Sequence, residues 1–236
     1  MKKQSLTLMN GDMIEYQLEH RSRRTVGLKI TDDGLVVHAP KRIFNFQLQK
    51  ILLEKSNWIA KKLKARKENY VAPIDWQDGE ILQLLGNPIS LFAVHHSKNK
   101  QPQFEHDSLT IFSPEADDPD VVKRKVIQWY KKQALGDFSR RLEILAAKLD
   151  VITPPLKLSN AQSRWGSCSS RGDMRLNWRL LQAPPHIINY VICHELAHLK
   201  EMNHSAKFWT VVKSIYPAYK TAEKELKEIS ARLHRM

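Results

Sequence analysis

The segment from Pro184 to Met202 constrains the fold most. Pro184 and Pro185 open a helix, and the apolar residues after them recur at helical spacing. At about 100° per residue, Ile188, Ile192, Leu196 and Leu199 share one arc. His194 and His198 stand one turn apart on the other side, about 40° from each other. Histidines that belong to a core would lie inside the apolar arc, and these do not. The chain must therefore bury one side of this helix and present two imidazoles on the other. Glu195 flanks the pair. It is poorly placed to bind the same ion, but it can reach a water held there.

His194-Glu195-Leu196-Ala197-His198 is an H-E-x-x-H match. Neutral imidazole nitrogen suits Zn²⁺, and i,i+4 spacing brings two rings to one ion. A catalytic zinc takes three protein ligands and keeps one position open. His204, six residues after His198, is the first choice for the third. It can join only if the helix ends or bends after about Lys200, with Asn203 a suitable residue for that break. The histidine spacing equals that of the metzincins, although Glu201 stands where their turn has glycine. Glu223 and Glu225, on the last predicted helix, compete for the place at a separation like that of the gluzincins. The chemistry implied is metal-assisted hydrolysis, with Glu195 moving the proton. Tyr190 and Arg164 are candidates to stabilise the oxyanion. Cys193 reads as a small buried residue; Cys168 could approach the site as a thiolate.

The rest of the 236-residue chain frames this segment. Residues 5–40 alternate like strands, with Asp32-Asp33-Gly34 as a turn. Phe44–Asn69 reads as one helix. Residues 41–68 hold nine Lys/Arg against two Asp/Glu. Short strands are expected at Ile81–Leu85, Ile89–His95 and Leu109–Phe112, with a turn at Gly86-Asn87-Pro88. Asp117–Asp120 caps a second long basic helix, Val121–Leu149. A hairpin is expected within Ala161–Leu180, and a last helix from Pro217 to Arg235. The class is α+β: a β-rich region with one basic helix over 1–115, then a catalytic region over 116–236, or one continuous domain. The net charge of +13 attracts polyanions, so a nucleic-acid-associated protein with a zinc site is the alternative function, contacting nucleic acid through the basic helices. No apolar run approaches the roughly 20 residues of a membrane span, and no secretory signal is read. Two cysteines suit a reducing compartment, so a cytoplasmic location is expected.

Gln162-Ser163-Arg164-Trp165-Gly166-Ser167-Cys168-Ser169 is followed by Leu176-Asn177-Trp178-Arg179-Leu180, by Tyr190 to Leu199, then by Asn203-His204-Ser205 and Phe208-Trp209. This series resembles the YgjP-like metallopeptidases, relatives of the SprT-like and WLM zinc peptidases. The resemblance spans about Arg21 to Lys227 and is sharpest from Gln162 to Trp209. It implies a zincin-like peptidase. His194, His198 and His204 match the family's zinc ligands, and Glu195 its catalytic acid. The substrate implied is a peptide or protein, added as a strand beside the active-site helix where the 164–180 hairpin fits. Arg164, Trp165 and Tyr190 are the candidate substrate contacts.

Overall fold

Tyr16, Leu35, Val37 and Ala39 alternate with more exposed neighbours, and this alternation makes one face of a sheet. The structure, a computed structural model, describes residues 3–31, 33–68 and 72–236. Strands β1 (Lys3–Thr7), β2 (Met13–Arg21), β3 (Gly27–Thr31) and β4 (Gly34–Pro40) lie in the order β1-β2-β4-β3, with β2 and β4 parallel. Gly34, at φ +113°, serves the reversal into β4; Asp32 of the expected turn lies outside the described residues.

The buried face of this sheet packs on Leu48, Leu52 and Ile59 of two helices, α1 (Asn45–Glu54) and α2 (Ser56–Glu68). The single helix expected over Phe44–Asn69 is therefore two, and Asn69 lies outside the described residues. The chain breaks at Lys55, where Ser56 turns inward and its hydroxyl accepts the Met9 N–H at 2.7 Å. Neither glycine nor proline marks this break.

A second sheet follows: β5 (Ile81–Leu84), β6 (Asn87–His95), β7 (Gln103–Glu105) and β8 (Ser108–Ser113), ordered β5-β6-β8-β7. The turn into β6 falls at Leu85–Gly86, one residue early, and Pro88 is already in the strand. Helix α3 (Pro119–Leu149) starts at Asp118, whose carboxylate accepts the N–H groups of Asp120 and Val121. Its Val126, Tyr130, Ala134, Phe138 and Leu142 form a buried row.

Strands β9 (Leu156–Ser159), β10 (Gly166–Cys168) and β11 (Met174–Asn177) form a third sheet in the order β10-β11-β9, leaving β10 on an edge. The 164–180 hairpin is thus confined to β10 and β11, because Asn177 caps a 3₁₀ turn over Trp178–Gln182. Three helices complete the chain: α4 (Pro185–Ala197), α5 (Ala206–Ile215) and α6 (Tyr219–Leu233).

The chain divides into two compact units, Met1–Tyr70 and Val71–Met236. The sequence places its change of character later, near residue 115. The core explains the difference: Leu91, Leu109 and Ile111 of the second sheet share one apolar cluster with α3, Trp178 and α4. The described residues form a mixed α+β structure with three small sheets and six α-helices. Among the described residues, no helix is long and apolar enough to cross a membrane.

Candidate metal centre

Helix α4 buries Ile188, Ile192 and Leu196 in the core and leaves His194 and His198 half-buried on its other side. It ends sooner than the sequence suggests. Ala197 is its last residue, and the N–H groups of His198, Leu199 and Lys200 bond the carbonyls of Glu195, Leu196 and Ala197. These i→i−3 bonds tighten the final turn and stop the helix. The chain reverses over residues 201–205, and Ser205 caps α5 by accepting the Phe208 N–H.

This reversal returns His204 to the end of α4. Its ring centroid lies 5.0 Å from that of His194 and 4.8 Å from that of His198. One ring nitrogen from each of the three histidines falls within 4.8 Å of the other two. Phe208, fully buried on α5, packs against all three imidazoles, with centroids 4.6 to 5.0 Å away. Sequence reasoning missed Phe208 as a support for the rings. Its place four residues after His204, just inside a new helix, was the available signal. Neither competing glutamate joins the group: Glu225 pairs with His186, and Glu223 with Lys227 at 2.7 Å.

The electrostatics suit a cation. Burial drives the His194 imidazole down to about 4 and lowers His198, so both rings are held neutral and keep a lone pair. The Glu201 carbonyl, 3.2 Å from His198 Nδ1, accepts its proton and frees Nε2 for a ligand. His194 Nδ1 is buried with no hydrogen-bond partner among the described residues, while Nε2 meets His204 Nε2 at 3.0 Å. No hydrogen bond from Nδ1 holds the His194 ring, yet its Nε2 is aimed at its neighbours. This donor set fits a divalent ion that takes imidazole nitrogen.

Glu195 is 6% exposed, between α4 and the edge strand β10. Its carboxylate faces the Cys168 backbone N–H. Burial pushes the carboxyl up to about 7, against the Arg164 guanidinium and that N–H, which pull it down. Gly166 makes the close approach possible, since a Cβ there would stand 2.5 Å from Glu195 Oε1 and 2.7 Å from Cδ. A small residue inside the Arg-Trp-Gly-Ser-Cys run was the trace of this contact in the sequence. Gly166→Ala must shift either β10 or the carboxylate. We expect it to keep metal but lose about 100-fold in turnover, the scale of a 1 Å misplacement, as read by steady-state kinetics beside metal analysis.

The other expected contacts are dispersed. Arg164 is exposed and acts on Glu195 electrostatically. Tyr190 lies one turn before His194, its ring centroid 6.1 Å away, and burial raises its hydroxyl pKa. Trp165 is engaged with α6: its indole N–H donates to Ser230 at 3.2 Å, and its ring stacks on His234 at 4.3 Å. Cys193 is buried and its thiol is pushed up to about 12; Cys168 is half-buried and also raised, first by burial.

A sequence model of the family described as "YgjP-like, metallopeptidase domain" matches residues 24–229. The chain belongs to the YgjP-like metallopeptidase family. Comparison with curated proteins returned no match. Among solved structures, the metallopeptidase zymogen of Pyrococcus abyssi abylysin is 25% identical, with a TM-score of 0.37, over 42% of this chain and 96% of that one. The zymogen of Methanocaldococcus jannaschii jannalysin is 23% identical, with a TM-score of 0.34, over 39% and 93%. A metallopeptidase needs a metal, and the three-histidine cluster at the end of α4 is where this chain could hold one.

Proposed function

We infer that this metallopeptidase is a zinc enzyme, with His194, His198 and His204 as ligands and Glu195 as general base. The convergence of three imidazoles, two of them held neutral by burial, beside the buried carboxylate of Glu195 carries this reading. A zinc ion bound there supplies Lewis acidity, polarising the scissile carbonyl and acidifying water. Glu195 takes a proton from the attacking water and delivers it to the leaving amine. Its raised pKa suits both steps, since a group that titrates near neutrality can accept and return a proton. The Cys168 N–H and Gly166 hold that carboxylate in place. Tyr190 and Arg164 remain the side chains proposed to meet the oxyanion and the substrate, while Trp165, engaged with Ser230 and His234, is left a packing role.

Among the described residues strand β10 pairs with one strand, β11, and its other edge, where the Cys168 N–H faces Glu195, is the edge proposed to take an extended peptide. An active-site helix, an adjoining edge strand and a third histidine from beyond the helix support a zincin-like layout. The alternative nucleic-acid reading rests on charge alone, and the family favours peptide or protein substrates. Free thiols at Cys168 and Cys193 suit a reducing compartment, and we place the activity in the cytoplasm.

Metal analysis with a cleavage assay on unfolded protein tests this function. One zinc per chain is expected. Stripping it with 1,10-phenanthroline should abolish cleavage and lower the melting temperature, and added zinc should restore both. Cleavage that persists in metal-free protein would refute the reading.

A further inference from the structure

Away from the histidines, one side of α3 borders a groove of about 460 Å³, within the roughly 300–1,000 Å³ common for ligand sites. Its walls are apolar. Trp129 of α3 meets Phe104 of β7 with ring centroids 5.5 Å apart, and Leu181 and Leu85 close the far side. Leu85 holds φ at +50° while its N–H donates to the Leu181 carbonyl at 2.8 Å, which fixes that wall.

Lys132, Gly136 and Arg140 follow one another at four-residue spacing along α3, on a single stripe. Gly136 is interior to a 31-residue helix, where glycine costs about 1 kcal/mol relative to alanine. A Cβ there would meet nothing within 4 Å, so packing inside the chain does not require glycine. Its missing side chain deepens the groove between two exposed cations. Asp137, the acidic residue of the lining, is already neutralised by Arg140 at 2.9 Å and Arg141 at 2.5 Å. Lys132 makes no ion pair among the described residues. An apolar floor under a positive rim calls for an apolar group flanked by negative charge.

We propose that this groove docks an acidic peptide segment of a protein substrate, one large apolar side chain resting over Gly136 and carboxylates facing Lys132 and Arg140. That the occupant is a polypeptide rests on the peptidase reading; its apolar and acidic character rests on the groove. The lining Asp137 pairs with Arg141, which donates to Asn189 of α4 at 2.9 Å, so two side chains link the groove to the helix that carries His194.

Fluorescence anisotropy tests this with a Glu-Glu-Phe-Leu-Glu-Asp-amide peptide carrying fluorescein on its N-terminal amine and the full chain carrying Glu195→Gln, which prevents cleavage. Saturable binding is expected. It should weaken about tenfold or more in Gly136→Leu, in Lys132→Glu/Arg140→Glu, and with a peptide whose acids are replaced by lysine. The paired charge reversal is on exposed residues, so it keeps the test valid if Gly136→Leu fails to fold. Three results would overturn the proposal: no saturation by about 1 mM peptide, equal binding by the variants, or groove-dependent binding of phosphatidylglycerol vesicles without peptide binding. Failure of the peptidase reading shows differently, as intact substrate with the unmodified chain while the anisotropy results stand.

Discussion

Glu195→Gln should leave zinc at one per chain and lower peptide cleavage by about 10²- to 10⁴-fold, the span a positioned general base contributes. The amide matches the carboxylate in size and can turn its oxygen to the Cys168 N–H, so the packing against Gly166 survives. What disappears is the capacity to take a proton. The substitution also removes a buried ionisable group whose charged form is disfavoured, so the melting temperature should hold or rise. Parallel metal analysis, thermal melts and cleavage assays check all three. Retained cleavage would pass the base role to another residue.

His204→Ala should act on the metal itself. Mutating a group that merely supports a ligand costs about 10- to 100-fold in affinity, so deleting a ligand should exceed 100-fold. His204 is exposed and its ring rests on Phe208 at 4.7 Å, so its truncation leaves the core of α4 and α5 intact. Competition with a chromophoric chelator reads the affinity. Glu223→Ala serves as the control: the Glu223 carboxylate acts on His194 by charge but lies outside the three-histidine group, so zinc affinity should stay within a few-fold. A large loss there, with none at His204, would transfer the third ligand to α6.

The clustering of the three histidines was legible because its signal is geometric. Two histidines four apart, opposite Ile188 and Ile192, can meet at one point only on a helix. The need for that helix to stop before His204 followed from the same arithmetic, and it stops at Ala197. The long helix α3 was legible from its Asp118 cap and its apolar row. What escaped notice depends on contacts distant in sequence. The break at Lys55 is set by a hydroxyl that bonds residue 9. Strand β9 exists because residues 156–159 pair in parallel with 174–177, a partnership no local pattern announces. Helix α5 is only ten residues long and begins among polar residues. The service of Gly166 to Glu195 requires two elements side by side, and a string of residues shows only that glycine is present.

Two of the three imidazoles belong to a helix rooted in the core, and the third hangs on the reversal between α4 and a ten-residue helix capped by one serine. Rupture of that cap and fraying of the first turn of α5 would detach His204 while α4 stays folded. The lifetime of the ion in the protein would then be governed by a local opening rather than by global unfolding. A chelator would extract the ion at a rate that tracks the protection of the Phe208 amide against hydrogen exchange, and strengthening the Ser205 cap would slow the exchange of one zinc isotope for another without altering any ligand.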